Sequence, residues 1–189
     1  MKKIGLYFGS FNPIHIGHLL VATYMREAAQ LDEIWFIISP QNPFKINAEL
    51  ADENHRLEMA KLSTEDVDYF KVSDIEFHLP KPSYTHLTLK ELIKQFPQNK
   101  FHLIIGEDNV AKFHEWKEAE WITDNFHILV YNRTHQNNIT EHSKFEIQNL
   151  PLIDISSTEI RKRVKQNLPI KYFVTEKTQL YMLNNKLYI

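Results

Sequence analysis

Apolar residues follow two periods along this chain. Short runs rich in β-branched and aromatic residues read as strands: Ile4 to Phe8, Glu33 to Ile38, Tyr69 to Phe77, Phe101 to Ile105 and Phe126 to Tyr131. Between them, apolar positions recur every three or four residues. Leu19 to Gln30 predicts an amphipathic helix with Ile16, Leu19, Leu20, Tyr24 and Ala28 on one face. Glu53 to Glu65 predicts a second, with Leu57, Met59 and Ala60 inward and Arg56 near its start. Ser83-Tyr84-Thr85 opens a third, carrying Leu89, Leu92, Ile93 and Phe96 and ended by Pro97. Two short helical pieces carry Phe113, Trp116 and Trp121, and Arg133 to Ser143 reads as a polar loop with His135 and His142 solvated.

Strands alternating with helices predict an α/β fold built on a doubly wound parallel sheet. Ligands bind such sheets beyond the carboxyl ends of the strands. The loops after the first, second and fourth strands hold Gly9–His18, Pro40–Lys45 and Gly106–Asp108, so the chemically suggestive loops share one edge.

Bulk properties narrow the classes. At 189 residues the chain fits one domain, residues 1–189, with 155–189 a smaller helical part. A net charge of -2 marks no nucleic-acid or membrane surface, so any polyanion must be held by local groups. No cysteine is present, which excludes disulfides, thiolate catalysis and cysteine-ligated zinc. Lys2 and Lys3 precede an apolar run too short for a signal-peptide core, and no segment approaches a membrane span. The glycosylation-like triplets at Asn132 and Asn138 are read as chance matches, and the expected location is the cytoplasm.

The densest chemistry lies in Gly9-Ser10-Phe11-Asn12-Pro13-Ile14-His15-Ile16-Gly17-His18. The chain has only 4 glycines, and Gly9 and Gly17 fall here, with Gly5 just upstream. Glycine serves where φ is positive or a ligand nears the backbone, so the cluster predicts a tight strand-to-helix turn. His15 and His18, three apart at a helix opening, can face one ligand. Free N–H groups and the helix dipole there favour an anion, and imidazole donors add direction. Histidines near a helix start are commonly caps or surface residues; here the whole string points to a phosphate site.

A second helix mouth lies at Ile155-Ser156-Ser157-Thr158-Glu159-Ile160-Arg161. Ser156 and Glu159 have capping-box spacing, and Ile155 and Ile160 stand as a hydrophobic staple, so a helix starts at Ser157. A capped surface helix would need no more than that. Ser157, Thr158 and Arg161 add hydroxyls and a cation beside the free amides.

The first string resembles the nucleotidyltransferase signature Gly-(Ser/Thr)-Phe-(Asp/Asn)-Pro followed by His-x-Gly-His. The second resembles Ile-Ser-Ser-Thr-x-Ile-Arg of one branch. With Gly106-x-Asp108, Phe113, Trp116, Ser83-Tyr84-Thr85 and the tail from Leu168 to Tyr188, the chain resembles the nicotinate-nucleotide adenylyltransferase family over nearly its whole length. Phe8, where many members have glycine, and Leu87, where many have an acid, depart from the pattern.

The resemblance implies a Rossmann-like fold and transfer of an adenylyl group from ATP to nicotinate mononucleotide. It implies His15 and His18 on the α-phosphate, and Arg161, the Ser156–Thr158 amides and Lys45 on the outer phosphates. Gly9, Ser10, Phe11, Gly106, Asp108 and Ile155 complete the ATP side, with Asp108 on the ribose. Asn12, Lys45, Tyr84, Thr85 and Trp116 hold the mononucleotide, Trp116 stacking on the pyridine. Magnesium (Mg2+) is carried by the ATP phosphates with no protein ligands. Pantetheine-phosphate adenylyltransferase shares the first motif but lacks the Ile-Ser-Ser-Thr-x-Ile-Arg and Gly-x-Asp…Trp pair, and a non-catalytic nucleotide sensor could lose His15, His18 and Arg161. The sequence is silent on oligomeric state.

Overall fold

A computed structural model describes residues 1–41, 50–132 and 144–189. Six parallel strands form one sheet: β1 (Lys3–Gly9), β2 (Glu33–Ile38), β3 (Phe70–Ser73), β4 (Lys100–Gly106), β5 (His127–Tyr131) and β6 (Phe145–Gln148). Their order is β3-β2-β1-β4-β5-β6. The chain winds outward from β1 in one direction, returns, and winds out the other way from β4. The crevice between β1 and β4 is therefore the switch point where such sheets bind ligands. The expected doubly wound α/β architecture is observed.

The helices cover both faces. On one, α1 (Ile16–Ala28), α2 (Glu53–Thr64), α6 (Ser157–Lys165) and α7 (Glu176–Asn184) bury Met25, Met59, Ile160 and Met182 against Tyr7, Phe36, Ile104 and Leu129. On the other, α3 (Thr85–Gln95) and α5 (Ala119–Asn125) bury Leu89, Leu92 and Ile122 against Ile4, Leu6, Leu103 and Ile128. A short α4 (Glu107–Val110) follows β4 directly. Strands buried on both faces explain why their sequences read as near-continuous apolar runs.

Three expectations change. α1 begins at Ile16, not Leu19, and buries Gly17, Val21, Ala22 and Met25, while Leu20 is exposed. Apolar residues exceed one face of this helix, so periodicity alone did not select the buried one. The third strand stops at Ser73, because Ser73 Oγ takes the Ile75 N–H and residues Ile75–His78 coil into a 3-10 turn. β6 has no counterpart in the sequence reading: its four half-polar residues pair along the edge with β5. Lys45, His135 and His142 lie outside the described residues.

Candidate active site

The loop after β1 is built around an inward-turned ring. Phe11 is 3% exposed, at φ 45, with its ring between Tyr7, Phe36 and His18 at 5.0–5.7 Å between centroids. A Cβ on Gly9 would stand 2.8 Å from that ring, so Gly9 makes room for Phe11. The turn thus differs from the expected glycine turn: none of the four glycines has positive φ, and the left-handed residue is Phe11. Its side chain belongs to the core, which leaves its backbone for any ligand. Ser10 Oγ is buried with no hydrogen-bond partner among the described residues, a costly state that an incoming acceptor would relieve.

His15 is the N-cap of α1 and His18 is the third residue of that helix. Their rings stack at 3.6 Å between centroids, 24° apart. His18 Nδ1 accepts from the His15 backbone N–H at 3.2 Å. That bond assigns the proton of a neutral His18 ring to Nε2, leaving an N–H donor on the far side. A Cβ on Gly17 would press on the His15 ring at 3.0 Å, so this glycine lets the histidine lie flat.

The second helix mouth docks directly onto this loop. Ser156 caps α6 by accepting from the Glu159 N–H, as its spacing predicts. Ser157 Oγ donates to the Pro13 carbonyl at 2.9 Å, and Arg161 Nη1 to the Asn12 carbonyl at 2.8 Å. Arg161 Nη2 also lies 3.4 Å from Thr158 Oγ1. Ile155 and Ile160 both pack on the core below, anchoring the staple. Two helix N-termini, α1 and α6, therefore converge on residues 12–15, each adding partial positive charge.

The remaining residues flank this centre. Tyr7 links the two halves: its ring lies 6.2 Å from His18 and 5.9 Å from Tyr131, and its hydroxyl meets that of Tyr131 at 3.2 Å. Tyr131 packs beside Gly106, where a Cβ would strike Asp108 Oδ1. Asp108 itself is exposed at the mouth of β4. Tyr84 precedes α3 without a side-chain cap bond, its carbonyl takes the Leu87 N–H at 3.0 Å, and Lys117 Nζ sits 3.8 Å over the Tyr84 ring. Trp116 is half-buried and packs on Phe113 at 5.0 Å, so core packing and a free edge coexist in one residue. Phe8 packs in the core of the opposite face, and Leu87 is half-buried on α3.

Sequence reasoning missed three residues. Arg56, 1% exposed, donates to the carbonyls of Ser10, Ser39, Pro40 and Ala51 at 2.7–3.0 Å, knitting the ends of β1 and β2 to the start of α2. Burial lowers its pKa, an effect opposed by Tyr188, Glu53 and Asp52. Glu76, also 1% exposed, accepts from Thr88 Oγ1 at 2.8 Å; burial pushes its carboxyl up, against the hydroxyls of Thr88, Ser39 and Ser83. Tyr188 reaches Asn12 from beyond α7. A cation in an apolar helix stripe was the one available signal, at Arg56.

A sheet with this strand order, with paired histidines after β1 and Ser157 and Arg161 of α6 bonded to the same loop, defines a nucleotide-binding transferase of the nucleotidyltransferase class. A profile of the cytidylyltransferase-like family matches residues 6–163. A probable nicotinate-nucleotide adenylyltransferase of Cytophaga hutchinsonii is 45% identical over 98% of both chains. One of Flavobacterium johnsoniae is 43% identical, also over 98% of both. The chain belongs to the cytidylyltransferase-like family, in its nicotinate-nucleotide adenylyltransferase branch. Among solved structures, the nicotinic acid mononucleotide adenylyltransferase of Plasmodium falciparum complexed with NaAD superposes with a TM-score of 0.81, covering 100% of this chain and 98% of its own, at 24% identity. A putative nicotinate-nucleotide adenylyltransferase from Vibrio parahaemolyticus gives 0.73 at 22% identity, covering 100% of this chain and 96% of its own. At those identities the likeness is one of fold.

Proposed function

We propose that this chain, acting as one unit over residues 1–189, transfers the adenylyl group of ATP to nicotinate mononucleotide, a step of NAD biosynthesis. An oxygen of the mononucleotide 5′-phosphate attacks the α-phosphorus. The bond from that phosphorus to the β-phosphate oxygen breaks, giving deamido-NAD and pyrophosphate. The carrying observation is the convergence of the α1 and α6 mouths on residues 12–15, with Arg161 and Ser157 bonded across to that loop.

The nucleophile is already ionised at neutral pH, so no general base is needed. Positioning and electrostatic stabilisation supply the catalysis. His18, its Nδ1 taken by the His15 amide, directs Nε2–H at charge developing on the α-phosphate. His15 backs it by stacking. Arg161 and the amides of Ser156 to Thr158 hold the outer phosphates, with Lys45 beside them. Gly9, Ser10, Phe11 and Ile155 face ATP through the backbone, Ser10 with its hydroxyl as well, and Gly106 and Asp108 take the ribose. Asn12, Tyr84 and Thr85 bind the mononucleotide, and Trp116 stacks on its ring. Magnesium enters as part of the substrate, neutralising charge between ATP oxygens. Among the described residues, no group of three His, Asp or Glu side chains gathers as a cage for it.

Relatives that match end to end carry this activity in their names, and both substrates are water-soluble anions, which supports a cytoplasmic setting. Among the described residues no helix is long and apolar enough to cross a membrane. The test is pyrophosphate release with ATP and, in turn, nicotinate mononucleotide, nicotinamide mononucleotide and phosphopantetheine. Release with nicotinate mononucleotide is expected. Release only with phosphopantetheine, or ATP binding without release, would overturn the reading.

A further inference from the structure

Four buried polar residues gather around one carboxyl beside the opening of α3: Glu76, Thr88, Ser39 and Ser83. They come from separate stretches of chain. Ser39 follows β2, Glu76 lies in the 3-10 turn after β3, and Ser83 and Thr88 bracket Tyr84 and Thr85. Thr88 Oγ1 donates to Glu76 Oε1 at 2.8 Å. Glu76 Oε2 and Ser83 Oγ have no hydrogen-bond partner among the described residues. The hydroxyls of Ser39 and Ser83 are nevertheless near enough to favour the ionised carboxyl, against the larger effect of burial. A carboxyl bonded at one oxygen only is costly to bury, and an apolar side chain would fill the space without that cost. Stability alone therefore does not account for an acid at this position.

The cluster is tied to the loop after β1. The Ser39 N–H donates to the Gly9 carbonyl at 2.9 Å. Arg56 Nη1 donates to the carbonyls of both Ser39 and Ser10, each at 2.7 Å. On the other side, the Ser83 N–H donates to the Gln41 carbonyl at 3.1 Å. A buried polar path thus runs from residues 9 and 10, through Ser39 and Glu76, to Thr88 on α3. Its two ends are the stretches assigned above to ATP and to the mononucleotide.

We propose that Glu76 is a positioning residue, whose carboxyl pins the first turn of α3, and with it Tyr84 and Thr85, relative to the loop after β1. This rests on the reading that nicotinate mononucleotide binds at Tyr84 and Thr85. Being buried, Glu76 acts through α3 and not by contact with a reactant. Two reactants held on separate elements depend on such spacing, since a misplacement of about 1 Å can cost on the order of 100-fold in rate.

The experiment compares Glu76→Ala and Glu76→Gln in the full chain, with each substrate varied in turn and the thermal midpoint measured alongside. Glu76→Ala is expected to lower kcat/KM for nicotinate mononucleotide about tenfold or more, with KM for ATP within about twofold of wild type. Glu76→Gln keeps an oxygen for Thr88 and nearly the same shape, so it should restore kcat/KM to within about threefold of wild type. A lowered midpoint with normal kinetics would make Glu76 merely structural and overturn the proposal. Equal losses for both substrates, or a Glu76→Gln loss as large as that of Glu76→Ala, also overturn it. Should Glu76→Ala fail to fold, Thr88→Val gives the second arm by removing only the hydroxyl bonded to Oε1. A fall in kcat/KM for the mononucleotide of about threefold or more, with KM for ATP within about twofold, supports the assignment, and any smaller fall overturns it. Wild-type protein that releases no pyrophosphate with nicotinate mononucleotide would instead overturn the proposed function, so the two failures are distinct.

Discussion

Arg161 donates from Nη1 to the backbone carbonyl of Asn12 at 2.8 Å, joining positions 149 apart in sequence. The bond couples the mouth of α6 to the loop after β1, so one guanidinium both shapes the loop and stands beside the proposed phosphate site. Arg161→Lys keeps the charge and loses the planar fork that can serve both tasks. KM for ATP is expected to rise about tenfold, and that for the mononucleotide by less than about threefold. Steady-state kinetics with each substrate varied in turn will check this; equal losses would contradict the assignment.

His18→Ala removes the donor held in place by the His15 amide. Loss of one preorganised donor lowers turnover by on the order of 100-fold or more. ATP affinity should change less, and the thermal midpoint little, since His18 is only half-buried. Turnover near normal would remove His18 from the chemistry.

Arg56→Met leaves the carbonyls of Ser10, Ser39, Pro40 and Ala51 without their shared donor. Unsatisfied buried acceptors each cost on the order of 1–3 kcal/mol, so the variant should lose about 3 kcal/mol or more of folding stability. Urea unfolding measures it. A midpoint unchanged from wild type would show that the carbonyls find other donors.

His102 is expected to make the protein acid-sensitive. It is 8% exposed, neither ring nitrogen has a partner among the described residues, and burial, with His127, Lys100 and Lys3 adding repulsion, holds its pKa down at about 4 rather than 6.5. The unfolded chain takes up this proton near pH 6.5 and the folded one only near 4. The resulting stability is present in full above pH 6.5 and is lost as pH falls through about 4, a swing of on the order of 2–3 kcal/mol. Unfolding free energies from pH 7.5 to 4 should show a slope that His102→Leu flattens; an equal slope in the variant would assign it elsewhere.

The acid mononucleotide should be preferred over the amide by at least about 100-fold in kcat/KM, about 2.7 kcal/mol. A carboxylate suits the N–H groups where α3 begins after Tyr84, whose side chain makes no cap bond to them. The nicotinamide NH2 would oppose donor with donor and leave buried groups unpaired. Side-by-side kinetics decide it, and comparable efficiencies would make the pocket unselective.

Where elements form was largely a local matter, and the sequence carried it. The apolar run at Ile4–Phe8, the capping pair Ser156 and Glu159, and the strand–helix alternation depend on neighbours within a few residues, and each reappears in the structure. The same local information placed the loops of β1, β2 and β4 on one edge, because parallel strands share a direction. What the fold alone decided depends on distant partners. The buried face of α1 was selected by which of its many apolar residues met the sheet. β6, with no apolar run of its own, exists because β5 offered an open edge. Glycine at position 9 proved to answer the Phe11 ring, not a left-handed turn. Arg56 and Tyr188 read as ordinary residues until folding brought four carbonyls to one and the Asn12 amide to the other. A hydrogen bond reaches about 3 Å, and only tertiary packing brings residues 46 or 176 positions apart within that range.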